Sequence, residues 1–233
     1  MTVAPPHPCR PLDEPRPPRD HRLRRRRRQW YECVLGWPTA PVTGEGPLEL
    51  LTGVRFDALG MPAAVGFSVL GRLPATGPVA LDVPARKMWF LTAAGSADEL
   101  PELLAWLEWG DIALDLEPLG QGGRIVAPVP VSPPGIRWRE AVEAVWVRPP
   151  DPGREVEPTL PATGLGGDGG APDLVRLVSA AATECHRARL LRAGVARRDQ
   201  PPGDRPRGPE DQALAFSYAS RMSAGTRPRS LTL

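Results

Sequence analysis

The residue types that most often carry chemistry are few in this chain and widely spaced. Its three cysteines and three histidines form no C-x-x-C pair or other metal-ligand spacing, which argues against a structural zinc site. Nucleophile-elbow, P-loop and metalloprotease-helix motifs are absent. The stretch Gly120–Gly123 is too short for a dinucleotide-binding loop and predicts a tight turn. Carboxylates and arginines therefore remain as the candidate functional groups.

A run of five arginines is the most concentrated charge in the chain. The run consists of Arg24, Arg25, Arg26, Arg27 and Arg28. Apolar residues from Leu23 to Leu35 recur at helical spacing, so the run predicts the start of a helix whose later turns pack on the body. A helix of this charge is typical either of a solvated surface or of a surface that faces nucleic acid.

The charge of the whole chain is unevenly distributed. Residues 1–28 hold nine arginines and three acids, and residues 187–233 hold ten arginines and four acids. Each end therefore carries about +6 and the middle about −10, although the total is +2. Basic arms on an acidic body fit nucleic acid, an anionic membrane surface or the body itself as partner, and solvated tails are the simpler alternative.

The carboxylates of one segment alternate with apolar residues. Ile112, Leu114 and Leu116 are apolar, and the intervening positions predict a strand with one polar face. The residues of that face are Asp111, Ala113, Asp115 and Glu117.

Length and composition restrict the class of protein. The chain has 233 residues with 31 Pro and 24 Gly, which predicts a folded body flanked by irregular segments. No apolar run reaches the roughly 18 residues that a membrane-spanning helix needs, and no signal-peptide core follows the arginine run. Unclustered cysteines fit a reducing compartment, so we expect a cytoplasmic protein with no membrane partner.

The domain organisation follows from where Pro and Gly concentrate. We expect a single α+β domain, a mixed sheet of three to six strands with flanking helices, and irregular arms around it. The predicted segments are a disordered Pro-rich basic arm at 1–20, the α+β domain at 21–149, a linker at 150–172, an amphipathic helix at 173–198 and a mostly disordered basic tail at 199–233.

The elements of the domain are read from periodicity and capping signals. Strands are predicted at Leu48–Phe56, Pro78–Val83, Met88–Thr92 and Arg124–Ala127. Helices are predicted at Met61–Leu73, after Ser96 as an N-cap with Glu99 completing a capping box, and from an Asp173 cap to about Arg198. Trp138–Trp146 is expected to form a last element, and Trp106 and Trp109 are expected to cover the core.

The order of several short motifs resembles a known family. The motifs are Trp37-Pro38, Leu51-Thr52-Gly53, Phe56-Asp57, Leu73 to Pro78, Arg86 to Phe90, Ala113 to Leu116, Gly120 to Gly123, and Ile125 to Pro128. This succession, over residues 22–149, resembles the amino-terminal domain of bifunctional DNA primase/polymerases, the archaeo-eukaryotic primase type that also occurs in short actinobacterial proteins. The resemblance implies a primase/polymerase-like fold and a role in DNA replication.

The resemblance also implies roles for individual residues. Asp57 matches the first metal-binding carboxylate and Asp115 the third, which together would hold Mg²⁺ or Mn²⁺ for nucleotidyl transfer. Leu59 stands where the family has its second carboxylate, and Lys87, next to Arg86, stands where the family has a nucleotide-binding histidine. Two of the four catalytic positions are therefore altered, although a lysine can still contact a phosphate.

Three functions remain open at this level. The first is a catalytically degenerate, nucleic-acid-associated primase/polymerase-like protein. The second is an active, divergent enzyme that binds Mg²⁺ or Mn²⁺, with Glu117 or Asp82 as a further ligand. The third is a non-enzymatic adaptor whose helix at residues 173–198 binds a protein partner.

Overall fold

The computed structural model describes residues 19–41, 46–129, 143–151, 153–164 and 172–198. The helices are α1 (Arg19–Gln29), α2 (Ala63–Arg72), α3 (Ser96–Trp106) and α4 (Leu174–Arg198). The strands are β1 (Glu49–Leu51), β2 (Asp57–Pro62), β3 (Val79–Asp82), β4 (Lys87–Thr92), β5 (Glu117–Leu119), β6 (Arg124–Val126) and β7 (Val145–Arg148). The predicted α+β class is confirmed, and none of these helices is both long and apolar enough to cross a bilayer.

Five strands form one antiparallel sheet in the order β5-β2-β4-β3-β7. In its middle, Gly60 of β2 lies opposite Trp89 of β4, and Leu81 of β3 lies opposite Met88. The compact apolar run of β4 is buried on both faces, which explains why it lacks the alternation of a half-exposed strand. The remaining strands, β1 and β6, pair separately as a small antiparallel sheet.

The five-stranded sheet separates two hydrophobic cores. On one face, α2, α3 and the first half of α4 pack on residues such as Met88 and Phe90. On the other face, the small sheet and the segment after α1 pack on residues such as Trp89 and Leu91. Alternate side chains of β4 thus enter opposite cores, and the domain has three layers.

Helix α4 belongs to the domain for most of its length. The predicted Asp173 cap is confirmed, because its Oδ1 accepts a hydrogen bond of 2.8 Å from the amide of Val175. The apolar face of the first half is buried in the core, through Leu174, Leu177, Val178, Ala181 and Cys185. The prediction of a separate helix offering this face to a partner is therefore wrong for the first half.

The chain divides into two compact units after Ala188, inside α4. In the second unit, Leu190, Leu191 and Val195 are exposed. The predicted linker at 150–172 is also corrected, since Val156 and Leu160 are buried in the core on the side of the small sheet, beside a 3₁₀ turn at Glu157–Thr159. Two apolar residues among prolines and acids were too weak a signal to predict this packing.

The helix that carries the arginine run ends in a π-helical turn at Trp30–Val34. Tyr31 and Leu35 are buried as predicted, but Leu23 and Val34 are exposed. A π turn holds more residues than an α turn, so it shifts the side chains that follow it around the axis. The predicted single apolar face therefore does not continue through the turn.

Three local predictions differ from the structure. Ile112–Leu116 is irregular and β5 begins only at Glu117, although burial along the segment still alternates. Helix α3 begins at Ser96 with Gly95 as its N-cap, and Glu99 accepts a hydrogen bond from Thr163 instead of forming a capping box.

Some tryptophan and boundary predictions also differ. Trp106 is 72% exposed, whereas Trp109 packs against His186 with ring centroids 5.6 Å apart. The strand predicted at Leu48–Phe56 shortens to β1. Parts of three predicted regions lie outside the described residues. They are the arm at 1–20 apart from its last two residues, residues 138–142 of the predicted last element, and the tail at 199–233.

Candidate functional site

Asp57, which the resemblance assigns to metal binding, caps a helix in the structure. It is the first residue of β2 and is 1% exposed. Its Oδ2 accepts a hydrogen bond of 2.9 Å from the amide of Ala97, in the first turn of α3. The N-cap residue of that helix, Gly95, has no side chain to do this. Asp57 therefore supplies, from a neighbouring strand, a hydrogen-bond acceptor for the amides of the helix N-terminus.

The pKa of Asp57 reflects opposing effects of this environment. Burial raises the pKa most strongly, the amides of Ala97, Gly95 and Gly53 lower it, and the carboxylate of Asp98 raises it. Burial dominates, so the pKa of Asp57 lies above its ordinary value. Its Oδ1 accepts no hydrogen bond of standard geometry within the described segments.

The glycine-rich turn closes over the same helix start. The predicted turn at Gly120–Gly123 is confirmed by a 3.1 Å hydrogen bond from the amide of Gly123 to the carbonyl of Gly120. Thr52 Oγ1 donates a 2.6 Å hydrogen bond to that carbonyl. A Cβ on Gly120 would lie 3.0 Å from Cβ of Ala97, so the turn packs directly on α3. The surroundings of Asp57 are filled by the protein's own backbone.

Asp115 lies at the other end of β2 from Asp57. In the antiparallel pairing of β2 with β5, Ala58 is opposite Leu119 and Gly60 is opposite Glu117. Continuing this register places Asp115 level with Pro62, five residues along β2 from Asp57, which is about 16 Å. Two-metal sites hold their ions about 3.5–4 Å apart, so bridging carboxylates must lie close together. The structure does not bring Asp57 and Asp115 together.

Arg86, Lys87 and Asp115 do lie together. With Pro62 and Glu117 they line a depression of about 320 Å³ at the end of the sheet. The ammonium of Lys87 is ion-paired with Glu117 and lies 4.9 Å from the centroid of the Trp89 ring. Sequence reasoning had placed Glu117 on a polar face but had not identified it as the partner of Lys87.

Arg86 occupies the turn before β4 in a left-handed conformation, with φ of +50°. Its carbonyl accepts a hydrogen bond of 2.8 Å from the amide of Ala63, the first residue of α2. The depression is thus lined by two cationic side chains, those of Arg86 and Lys87, and by two carboxylates, those of Asp115 and Glu117. In the part of the chain that the structure describes, no three His, Cys, Asp or Glu side chains cluster as metal ligands.

The arginine run is divided between two faces of α1. Arg27 pairs with Glu143 at 2.7 Å, and Arg28 pairs with Glu32 at 2.8 Å. Arg24 is half-buried along a groove between α1 and the sheets. Arg25 and Arg26 are exposed. The run therefore contains structural and solvent-facing arginines that the sequence alone does not distinguish.

No protein-family model, no curated protein and no solved structure matches this chain. The class that the structure defines is an α+β domain with a five-stranded antiparallel sheet between helices and a smaller sheet. The resemblance to primase/polymerases stays a prediction.

The raised pKa of Asp57 gives a testable pH dependence. A folded-state pKa above the unfolded value means that the folded protein binds the proton more tightly, so this group stabilises the fold at low pH. The contribution is fully present below about pH 4 and is lost as the pH rises through the raised pKa. Urea titrations of the wild type and of Asp57→Asn give the two unfolding free energies. We expect the wild-type value minus the variant value to decrease as the pH rises. A difference that rises with pH would show a carboxylate stabilised as an anion instead.

Proposed function

We propose that the protein is a primase/polymerase-like domain that does not transfer nucleotides and that associates with nucleic acid through its basic residues. The proposed lack of nucleotide transfer rests on Asp57, whose carboxylate accepts a hydrogen bond from the amide of Ala97 at the start of α3. A carboxylate that is 1% exposed and covered by the glycine-rich turn has no open side at which a nucleotide or a hydrated cation would sit.

The other family positions support the same proposal. Leu59 lies in the core between the sheet and the helices, and its side chain offers no oxygen to a cation. Asp115 lies beside Pro62, at the opposite end of β2 from Asp57, and Lys87 is already neutralised by Glu117. These residues do not fit the shared Mg²⁺ or Mn²⁺ site that an active, divergent enzyme would need.

The association with nucleic acid is supported by charge and exposure. Each end of the chain has an excess of about six positive charges, and α1 presents exposed arginines to solvent. Contacts between guanidinium groups and phosphates release counterions and account for most sequence-independent binding. An adaptor is the second candidate function, favoured by the exposed side chains of Leu190, Leu191 and Val195 on the last part of α4.

Primer synthesis and DNA binding by the full chain test the two parts separately. We expect no template-dependent synthesis above background with Mg²⁺ or Mn²⁺ and all four nucleotides, for the wild type or for Asp57→Asn. We expect DNA binding whose affinity falls steeply as salt is raised. Synthesis by the wild type that Asp57→Asn abolishes would overturn the non-catalytic proposal. Salt-independent binding, or none, would overturn the association with nucleic acid.

A further inference from the structure

The outward face of α1 is a stripe of polar side chains. Residues at positions 22, 25, 26 and 29 have offsets of 0, 3, 4 and 7, so they fall on one face of an α-helix. All four are exposed, and they are Arg22, Arg25, Arg26 and Gln29. We call the three arginines of this face the guanidinium stripe.

The opposite face of α1 is held by the body of the domain. Arg27 pairs with Glu143 of another segment, and Tyr31 in the following turn is fully buried. Arg28 pairs with Glu32, four residues further along the same helical segment. Arg25 and Arg26, in contrast, take part in no ion pair or side-chain hydrogen bond with the described part of the chain. The helix is therefore anchored through Arg27 and Tyr31, whereas Arg25 and Arg26 face solvent.

The chemistry of the stripe favours a regular array of phosphates. Guanidinium groups are planar, permanently charged donors that bind phosphate oxygens in a bidentate manner. Proteins that bind single strands add aromatic side chains on which the bases stack. The stripe has no aromatic member, and the neighbouring Trp30 packs edge-on against Tyr31 with centroids 4.8 Å apart.

Among the described residues, the most exposed aromatic side chain lies elsewhere. Trp106 belongs to α3, which packs on the helix-covered face of the five-stranded sheet. The segment after α1 packs on the other face. Trp106 therefore cannot combine with the stripe into a single-strand groove. The stripe also lacks the apolar side chains with which an amphipathic helix enters a lipid headgroup layer.

We propose that the guanidinium stripe binds the phosphate backbone of a DNA duplex without reading its sequence. This inference rests on the proposed association with nucleic acid and assigns it to one helix face and one ligand. Arg25 and Arg26 contact phosphates, and Arg27, paired with Glu143, helps to hold the helix on the domain.

The test compares two double variants of the full chain that remove the same charge. Arg25→Ala/Arg26→Ala removes two stripe residues, and Arg154→Ala/Arg176→Ala removes two exposed arginines elsewhere. Affinity is measured against salt concentration for a 20-base-pair duplex and for a single strand with the same number of phosphates. Vesicles that contain phosphatidylserine serve as a non-nucleic-acid probe.

Each lost phosphate contact lowers the slope of log affinity against log salt by about 0.9 for a duplex. We expect the stripe variant to lose about 1.8 from the slope for the duplex, the control variant to lose none, and the wild type to bind the duplex more tightly than the single strand. Equal slopes in both variants, tighter single-strand binding, or a stripe-dependent loss on vesicles alone would overturn the inference. Absence of any DNA binding by the wild type would instead overturn the proposed function.

Discussion

Gly53→Ala is expected to lower the unfolding free energy by about 3 kcal/mol or more. Gly53 has a φ of +83°, in the left-handed region that an L-residue enters at a cost of about 1–2 kcal/mol. A Cβ there would lie 2.2 Å from Cα and 2.4 Å from N of Gln121. Because both atoms are backbone, the clash is relieved only by moving the glycine-rich turn.

Moving that turn would disturb the start of α3. Thr52, next to Gly53, donates to the carbonyl of Gly120, and the amide of Thr52 donates a 3.0 Å hydrogen bond to the carbonyl of Gly123. The amide of Gly53 also lies close enough to Asp57 to lower its pKa. The loss of stability should therefore be accompanied by weaker protection of the Ala97 amide against hydrogen exchange.

Gly71→Ala is the matched control, because it adds the same methyl group where nothing lies within 4 Å. Gly71 is in the last turn of α2, where alanine is the better helix former, so we expect a gain of about 0.5–1 kcal/mol. Urea denaturation followed by tryptophan fluorescence measures both variants. A Gly53→Ala protein as stable as the wild type would show that the contact with Gln121 is not close.

The strands and helices that the sequence predicted well share strong local signals. The run at Met88–Thr92 is apolar and bounded by charges, and it forms β4. Asp173 is a polar residue directly before an apolar periodicity, and it caps α4. Prediction failed where a distant partner decided the local structure. Gly95, not Ser96, occupies the N-cap position of α3 and makes no side-chain hydrogen bond. The capping acceptor is the carboxylate of Asp57, which reaches the helix from β2.

The candidate site was predictable in residue type but not in geometry. Lys87 directly precedes the strand predicted at Met88–Thr92 and is the first residue of β4. Its pairing with Glu117, however, depends on β2 lying between β4 and β5. The separation of Asp57 from Asp115 depends on the register of β2 with β5. Sequence patterns indicate which residues lie on a face, whereas strand order and register decide which of them meet.

Arg72→Ala is expected to lower the unfolding free energy by about 3 kcal/mol, much more than Glu184→Gln. The Arg72 guanidinium, at the end of α2, pairs at 2.5 Å with Glu184 of α4. The Glu184 side chain is 6% exposed and that of Arg72 is 47% exposed. Removing the arginine leaves a buried carboxylate without a counter-charge, whereas removing the carboxylate charge leaves a guanidinium that water can still solvate.

The double variant Arg72→Ala/Glu184→Gln isolates this effect. We expect it to be more stable than Arg72→Ala alone, because the amide carries no charge that needs a partner. Arg124→Ala is the surface control, since Arg124 and Glu49 are 3.5 Å apart and more exposed, and its loss should be below about 1 kcal/mol. If Arg72→Ala and Arg124→Ala cost the same, burial of Glu184 would not govern the strength of the pair. A larger loss of unfolding free energy for Arg72→Ala would show that this ion pair stabilises the packing of α4 on α2. The pair would be strong because Glu184, unlike Arg72, has almost no access to water.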